Sequence, residues 1–406
     1  MRYLYTFFYC LTLILICFLL TALLDKFFPD ATPFIHNLLS LIQFMILLTA
    51  IIYLIHGTIT AGKKNYKKVF LFAACCIILP ELLIIHLLHH PDKIPNRLRS
   101  SFRYYYSESG RNIIQLNPKS SVYDSSLFYT LKRSARFSYS NYEFTDSFAT
   151  NSLGLRDDEN SLTKPGIICL GDSYAMGWGV KQDETFAEVL GKLTGYKTLN
   201  AAVSSFGTAR ELKNYYRLDT SNIKYLIIQY CKNDFEENKS YTDSNNNLHI
   251  SPENIYRSAV TLHFWNKYWF PGKHLVSFLK LNTRRKLNSI THPTKAMATD
   301  SSKKATQQAA LIFTDMLARS AINFSKIKVF VIDLNEKETM NNDLIEQINT
   351  IIRSPGYKDH FNNNLIMVPV ADLLTESDYY ILDPHLRPSG HHKIAERLYK
   401  LVTASH

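Results

Sequence analysis

The length, charge and composition of the chain restrict the classes of protein to which it can belong. With 406 residues it can hold one large domain and additional segments. Its net charge of +11 suits an anionic membrane surface or an acidic envelope polymer. Nucleic acid would also suit this charge, but the sequence has no zinc-ligand spacing, recognition-helix pattern or aromatic RNA-binding signature, so we expect no nucleic-acid partner. The six cysteines lie in apolar runs or at strand ends, form no disulfide framework and leave the compartment undecided.

Three apolar stretches near the N-terminus predict membrane-spanning helices. Residues 4–24 are uncharged and long enough to cross a bilayer, which takes roughly 20 residues. A signal peptide is the alternative, but the apolar run is too long and no convincing small-residue cleavage site follows it. Residues 38–55 form the second predicted span. Residues 69–88 form the third, which Pro80 and Glu81 interrupt.

Basic residues around the predicted spans indicate the orientation of the chain. Arg2 precedes the first span, and four lysines lie between the second and third spans: Lys63, Lys64, Lys67 and Lys68. Because cytoplasmic loops are enriched in such residues, the pattern places this loop and the N-terminus in the cytoplasm, and the third span would then deliver the chain that follows it to the outside. Four basic residues after the third span oppose this orientation: Lys93, Arg97, Arg99 and Arg103. Since charges attached to a large translocated domain count less, we expect a multi-pass inner (cytoplasmic) membrane protein with a periplasmic or otherwise extracytoplasmic C-terminal domain.

Two ionisable residues, Glu81 and His86, fall inside the third predicted span. Ionisable groups at that depth are costly, so one interpretation is a functional intramembrane pair. The other interpretation is that Pro80 kinks the helix and Glu81 faces a neighbouring helix or the membrane interface. We prefer the second interpretation.

The segment between the spans and the C-terminal domain is predicted to be a linker and collar. Residues 91–110 are basic and aromatic, with three consecutive tyrosines at 104–106, so they suit a lipid headgroup interface and make membrane lipids a predicted partner. Residues 113–150 show short alternating stretches that are typical of strands rather than helices. The predicted domains are a membrane anchor over residues 1–90, the linker and collar over 91–150, and a catalytic domain over 151–406.

From residue 166 onward, strand-like and helix-like segments alternate. Strands are predicted over residues 167–170, 197–200, 225–230, 329–334 and 365–368, and helices over 185–193, 209–217, 306–324, 344–352 and 390–402. This alternation predicts an α/β fold, a three-layer sandwich in which helices cover both faces of a mostly parallel five-stranded sheet. Residues 240–302 interrupt the alternation as an insertion. We interpret the insertion as a lid, a substrate platform or a membrane-contacting flap, or else as a structured surface insertion.

One predicted turn places a serine at the end of a buried strand. The apolar run over residues 167–170 predicts the strand, Gly171 and Asp172 end it, and a helical pattern resumes near Thr185. Ser173 is therefore either a solvated turn serine or a functional hydroxyl at the carboxyl end of the sheet, where open α/β folds bind ligands. Three further polar sites follow other strands and fall on the same edge: Asn200 to Gly207, Asn233-Asp234 and Asp383-Pro384-His385.

These residue types, brought together at one edge, suit nucleophilic catalysis. Ser173 is a weak nucleophile unless a base takes its proton. His385 can be that base because histidine side chains ionise near neutral pH, and Asp383 can hold the imidazole tautomer and stabilise the imidazolium. The predicted oxyanion donors are the Asn233 side-chain amide and the backbone N–H groups of Ser173 and of Ser205 or Gly207.

The four sites, in this order, resemble the motif blocks of the SGNH (GDSL-type) hydrolase superfamily. Gly171-Asp172-Ser173 is similar to the nucleophile block, Asn200 to Gly207 to the glycine block, Asn233-Asp234 to the asparagine block and Asp383-Pro384-His385 to the histidine block. Residues 150–156 also resemble a lead-in of membrane-anchored members. The resemblance covers about residues 145–406 and implies a flavodoxin-like fold and acyl-ester chemistry through an acyl-serine intermediate.

The sequence departs from the family pattern at three places. Ser205 stands where the glycine block has its glycine, with Gly207 two residues later, and a backbone donor there requires only a suitable conformation. The usual Gly-x-Asn-Asp begins here with Cys231. The spacing from Asp383 to His385 is two rather than the commoner three.

Other residues compete for the same roles. His391 and His392 are rival bases, but they fall at the start of the last predicted helix, where a surface or capping role is preferred. Asp172 is a rival metal ligand, but no matching His/Asp cluster accompanies it, so we prefer a structural role in the turn. We expect neither a metal nor a cofactor.

Two classes of function follow from these observations. The first is a membrane-anchored serine esterase or O-acyl (acetyl) transferase that acts on an acyl ester of a glycan or a lipid-linked compound of the cell envelope. Three spans are too few to carry acyl groups across the membrane, so transfer would require a separate membrane protein as acyl donor. The second is a catalytically weak module that binds glycan or assembly partners. The departures at Ser205 and Cys231 favour it, and the presence of Ser173, Asn233, Asp383 and His385 opposes it.

Overall fold

The computed structural model describes residues 66–267, 272–291 and 298–404, together with the single residue Thr12. Thr12 apart, the predicted spans over residues 4–24 and 38–55 lie outside the described residues. The chain divides into two compact units, which are Met1–Gly110 with Trp265–Thr294, and Arg111–Phe264 with Lys295–His406. We call them the first and the second unit.

Helices and strands are numbered here in chain order over the described residues. The helices are α1 (Tyr66–His89), α2 (Asn96–Tyr105), α3 (Ser173–Met176), α4 (Phe186–Thr194), α5 (Thr208–Tyr215), α6 (Asp234–Asp243), α7 (Glu253–Lys267), α8 (Lys273–Thr291), α9 (Ala298–Ala318), α10 (Asp343–Ile352) and α11 (Pro388–Thr403). The strands are β1 (Ser121–Asp124), β2 (Phe128–Leu131), β3 (Arg136–Ser140), β4 (Thr145–Ala149), β5 (Ile167–Leu170), β6 (Thr198–Asn200), β7 (Tyr225–Tyr230), β8 (Lys328–Asp333) and β9 (Leu365–Met367).

In the first unit α8 packs against α1 and α2. The buried Glu81 carboxylate of α1 accepts the backbone N–H of Leu275 at 2.7 Å and that of His274 at 3.3 Å, in the first turn of α8. A carboxylate in this place satisfies donors that have no partner inside the helix and interacts favourably with the helix dipole. Glu81 therefore faces a neighbouring helix, as the preferred interpretation states, and the ring of His86 lies against His90 instead.

The third predicted span, residues 69–88, falls within α1. Among the described residues, no helix combines the length and the apolar character that crossing a membrane requires.

The second unit is built on a five-stranded parallel sheet with the strand order β6-β5-β7-β8-β9. The predicted α/β fold with a parallel sheet is therefore confirmed, and β5 and β7 begin and end where the sequence predicts. From β5 the chain adds β6 on one side and then crosses back to add β7 on the other. This reversal puts the topological switch point, where doubly wound folds bind their ligands, at the carboxyl ends of β5 and β7.

The sheet separates two hydrophobic cores. Ile168 and Leu170 of β5 contribute to one core with side chains of α5, α9 and α10, whereas Ile167 and Cys169 contribute to the other with side chains of α4 and α11. Successive strand residues point to opposite faces, so a strand covered on both sides is expected to be apolar at nearly every position. The sequence run over residues 167–170 satisfies this condition. Cys169 is a buried free thiol, as predicted.

The helix α9 ends earlier than the sequence predicts. It stops at Ala318 rather than at residue 324, because the Ser320 hydroxyl and backbone N–H both donate to the Leu317 carbonyl at 2.6 and 3.1 Å. A side chain that takes a C-terminal carbonyl competes with continuation of the helix.

The collar consists of two antiparallel hairpins in the second unit. β1 pairs with β2, and β3 pairs with β4. The strand-like pattern over residues 113–150 thus forms strands. The predicted insertion over residues 240–302 contains α7 and α8, and its role as a lid, platform or flap stays a prediction.

Candidate active site

Ser173 lies at the end of a turn that requires glycine. β5 ends at Leu170, and Ser173 begins α3. Between them Gly171 has φ +152°, and a Cβ there would lie 2.5 Å from Gln229 Oε1 and 2.7 Å from the Ala175 Cβ. A side chain at position 171 would therefore displace β7 or α3. The turn holds the half-buried Ser173 at the carboxyl end of β5.

The structure brings Ser173, His385 and Asp383 into one hydrogen-bonded chain. Ser173 Oγ lies 2.7 Å from His385 Nε2, and His385 Nδ1 lies 2.5 Å from Asp383 Oδ1. His385 is 6% exposed and Asp383 is 1% exposed, so the imidazole and the carboxylate are shielded from water while the hydroxyl remains reachable. The spacing of two between the acid and the base is compatible with this contact.

The hydrogen bonds assign the tautomer of His385. Asp383 accepts a hydrogen bond from the Nδ1–H group, which leaves the Nε2 lone pair free to accept the Ser173 hydroxyl hydrogen. The arrangement matches the roles of nucleophile, base and orienting acid. The Tyr174 hydroxyl holds the same loop by donating to the Pro384 carbonyl at 3.1 Å.

Two residues that sequence reasoning missed hold the loop that carries Asp383. The carboxylate of Glu143, between β3 and β4, accepts the backbone N–H groups of Ile381, Leu382 and Asp383 at 2.7, 2.7 and 2.9 Å. Burial raises the pKa of Glu143, and the three N–H donors oppose this effect. Trp178 Nε1 donates to Asp383 Oδ2 at 3.3 Å. In the sequence, the glycines on either side of Trp178 could have identified this position, whereas no pattern in the sequence identifies Glu143.

Arg156, in the lead-in segment, holds the loop that follows α3. Its guanidinium donates to the carbonyls of Gly177 at 2.5 Å and Val180 at 2.7 Å, and it lies 3.8 Å over the ring of Phe148. Arg156 is 1% exposed. Burial lowers its pKa to about 10, and Asp146 opposes this effect. The lead-in segment therefore has a structural function beside the nucleophile.

The rival bases lie elsewhere. His391 is buried in α11, and its Nδ1 accepts the backbone N–H of Phe186, the first residue of α4, at 3.2 Å. Burial lowers the pKa of His391 to about 3, with Arg156 adding to the effect. This histidine caps a helix, which is one of the preferred roles, and His392 is exposed.

Asp172 connects the nucleophile turn to the asparagine site. Its Oδ1 accepts the Tyr174 N–H at 2.9 Å, and its Oδ2 accepts the Asn233 side-chain amide at 3.3 Å. Burial raises the pKa of Asp172, although these hydrogen bonds oppose the effect. The carboxylate is thus a structural acceptor, and the exposed Asn233 retains a second amide hydrogen for an oxyanion.

The sequence leaves two candidates, Ser205 and Gly207, for the second backbone donor to the oxyanion. The Gly207 N–H donates to Glu237 Oε1 at 3.2 Å, so it is turned toward Glu237 rather than toward an oxyanion. Ser205 has φ +59°, the left-handed conformation that glycine adopts at little cost. Ser205 rather than Gly207 is therefore left as the candidate.

Within the described ranges, no group of three or more His, Cys, Asp or Glu side chains is arranged to hold a metal ion.

Comparison with known proteins gives little beyond this geometry. No model of a known protein family matches the chain, and no curated protein matches it. Among solved structures, a G-D-S-L family protein from Desulfitobacterium hafniense DCB-2 matches 58% of this chain and 98% of its own with 10% identity and a TM-score of 0.29. At this TM-score the match carries no argument about the site, whose interpretation depends on the contacts described above.

Proposed function

We propose that this chain is a serine esterase or O-acyl (acetyl) transferase that cleaves acyl esters through an acyl-serine intermediate. The observation that carries the proposal is the chain of hydrogen bonds from Ser173 Oγ through His385 to Asp383. A serine that a neutral imidazole contacts in this way can be deprotonated as it attacks.

The first half of the reaction forms the acyl-serine. Ser173 Oγ attacks the ester carbonyl as His385 Nε2 takes its proton, and Asp383 stabilises the imidazolium. The negative charge on the former carbonyl oxygen would be stabilised by the Asn233 amide and the backbone N–H groups of Ser173 and Ser205. The C–O bond then breaks, and the imidazolium returns its proton to the leaving alcohol.

The second half of the reaction distinguishes an esterase from a transferase. His385 accepts a proton from water or from an acceptor hydroxyl, whose oxygen attacks the acyl-serine. Water gives a free acid, whereas an acceptor hydroxyl gives a new ester, and Ser173 recovers its proton in both cases. Transfer would require a separate membrane protein to supply the acyl group.

The proposed substrate class and location rest on the sequence. Three predicted spans, a basic chain and a C-terminal domain predicted to lie outside support an acyl ester of an envelope glycan or a lipid-linked compound. Reporter fusions in the lysine loop at residues 63–68 and after residue 406 would test the location. A cytoplasmic C-terminus would refute the envelope substrate while leaving the ester chemistry in place.

Hydrolysis of an aryl acetate by the full-length protein tests the proposed chemistry directly. We expect turnover and covalent labelling of Ser173 by a fluorophosphonate. A catalytically weak binding module, the alternative function, would show neither.

A further inference from the structure

A pocket of about 300 Å³ lies beside the predicted oxyanion site in the second unit. Ser205 forms part of its wall, and Glu237, one turn after Asn233 on α6, forms another part. Asn233 directly precedes α6, so the asparagine site lies about one helical turn, roughly 5 Å along the axis, from the pocket wall at Glu237. Its volume is at the lower end of the range for small-molecule sites, about 300 to 1,000 Å³.

The pocket combines aromatic faces with a paired charge. Phe128, Tyr129 and Tyr241 contribute rings. Arg210 Nε donates to Glu237 Oε2 at 2.7 Å, and the guanidinium lies 5.2 Å from the centre of the Tyr129 ring. Because the charges of Arg210 and Glu237 cancel, this pair gives the pocket no net positive charge with which to attract an anion. The polar groups in its wall also make it unsuitable for a hydrocarbon chain, which would leave them unpaired.

Backbone strain supports a binding role for the same place. Phe128 has φ +72°, which is an unusual conformation for a bulky residue, and Ser205 has φ +59°. Such conformations cost on the order of 1–3 kcal/mol each and cluster at ligand-binding and active sites. Phe128 is the first residue of β2, opposite Asp124, and its half-buried side chain lines the pocket.

We propose that this pocket binds an uncharged sugar ring on the alcohol side of the ester. The proposal rests on the proposed function, since it assigns the leaving or accepting hydroxyl of that reaction to a saccharide. Aromatic rings can stack on the apolar face of the sugar. The Arg210–Glu237 pair and the hydroxyls of Ser240 and Ser251, which also line the pocket, can bond to the hydroxyl groups of the sugar. Ser205 borders the pocket, so a bound ring would present a hydroxyl beside the acyl-serine.

Binding and turnover of defined probes by the full-length protein test this proposal. The binding probes are methyl glycosides of glucose and N-acetylglucosamine, with glucuronate as the anionic probe and decanoate as the acyl-chain probe. Turnover is compared between an acetylated methyl glucoside and an aryl acetate. Phe128→Gly removes a ring at a φ that glycine adopts freely, and Tyr241→Ala removes a second one. Tyr399→Ala is the control, because this half-buried tyrosine lies on α11, on the other face of the sheet.

We expect a neutral glycoside to bind the wild type best, and both pocket variants to weaken that binding about tenfold. The ratio of glycoside-ester to aryl-acetate kcat/KM should fall by a similar factor, and Tyr399→Ala should change neither quantity. The proposal is overturned if glucuronate or decanoate binds more tightly, if no glycoside binds, or if the pocket variants bind as the wild type does. Aryl-acetate turnover without glycoside binding would refute this inference and leave the esterase standing. Glycoside binding without any ester turnover would refute the esterase, and with it the assignment to the alcohol side of an ester, and would leave only a sugar-binding pocket.

Discussion

The two sides of the candidate site are built differently. On the base side, Asp383 and His385 are nearly inaccessible to solvent, and Glu143 and Trp178 hold the loop that carries them. On the oxyanion side, Asn233 is exposed, and its contact with Asp172 is 3.3 Å long.

This difference indicates how each side would contribute to a reaction. The base side is preorganised, since each donor and acceptor that orients the imidazole is in place. Hydrogen bonds to a developing oxyanion become stronger when water is excluded, so the exposed Asn233 depends on the substrate to cover it. Variants that damage one side and spare the other test this division.

The largest effect is expected from loss of the nucleophile. Ser173→Ala should reduce aryl-acetate turnover by about 10⁴-fold or more, because the acyl-enzyme can no longer form. The variant should also lose fluorophosphonate labelling while retaining the wild-type circular dichroism spectrum. Persistent labelling of the alanine variant would place the nucleophile at another residue.

A smaller loss is expected on the oxyanion side. Asn233→Ala should reduce kcat by about 100- to 1,000-fold, as for other single oxyanion donors, with little change in the free energy of unfolding. Asn222→Ala, on a loop distant from the carboxyl ends of the strands, is a control that should retain activity. If Asn233→Ala retains activity within threefold, the asparagine site is structural and the oxyanion assignment fails.

The sequence predicts the sheet and the contacting triad better than it predicts the residues that support the triad. β5 and β7 are apolar at nearly every position because they are covered on both faces, and the polar residues of the site follow strand ends directly. Glu143 and Arg156 act through backbone groups that are distant or irregularly spaced in sequence. Such contacts leave no periodic pattern, so their roles are seen only when the chain is folded.

Loss of Glu143 should reduce kcat by less than loss of Asn233 and by more than loss of His391. Glu143→Gln leaves a single acceptor oxygen for the three N–H groups that the two carboxylate oxygens now accept, and it turns an NH₂ group toward the same loop. The displaced Asp383 would then misalign His385, so we expect kcat to fall by about 10- to 100-fold.

A matched control distinguishes this positioning role from a general effect of charge. Glu159→Gln removes an exposed carboxylate that bonds to Ser152, and it should leave kcat unchanged. Glu143→Asp, which keeps the charge on a shorter side chain, should recover part of the activity. Equal losses in the glutamine and aspartate variants would indicate that Glu143 only supports the fold of the collar.

The smallest effect on activity is expected for His391, the buried histidine beside the base side. Its pKa of about 3 lies below the ordinary histidine value of about 6.5, because burial disfavours the charged ring. The unfolded chain therefore binds a proton below about pH 6.5 that the folded chain does not bind until about pH 3. The contribution of His391 to the free energy of unfolding is therefore fully present above about pH 6.5. It decreases as the pH falls, by about 2 kcal/mol between pH 7.5 and pH 5.

Denaturant unfolding of His391→Asn in the full-length protein isolates this contribution. The asparagine oxygen can accept the Phe186 N–H in place of Nδ1 but cannot be protonated, so the wild type should lose about 2 kcal/mol more than the variant over the same pH interval. His392→Asn, at the exposed neighbouring position, should keep the wild-type dependence. Activity at neutral pH should be close to that of the wild type in both variants, because the imidazole that contacts Ser173 is that of His385. A loss of activity in His391→Asn as large as in His385→Ala would show that the two histidines share the role of the base.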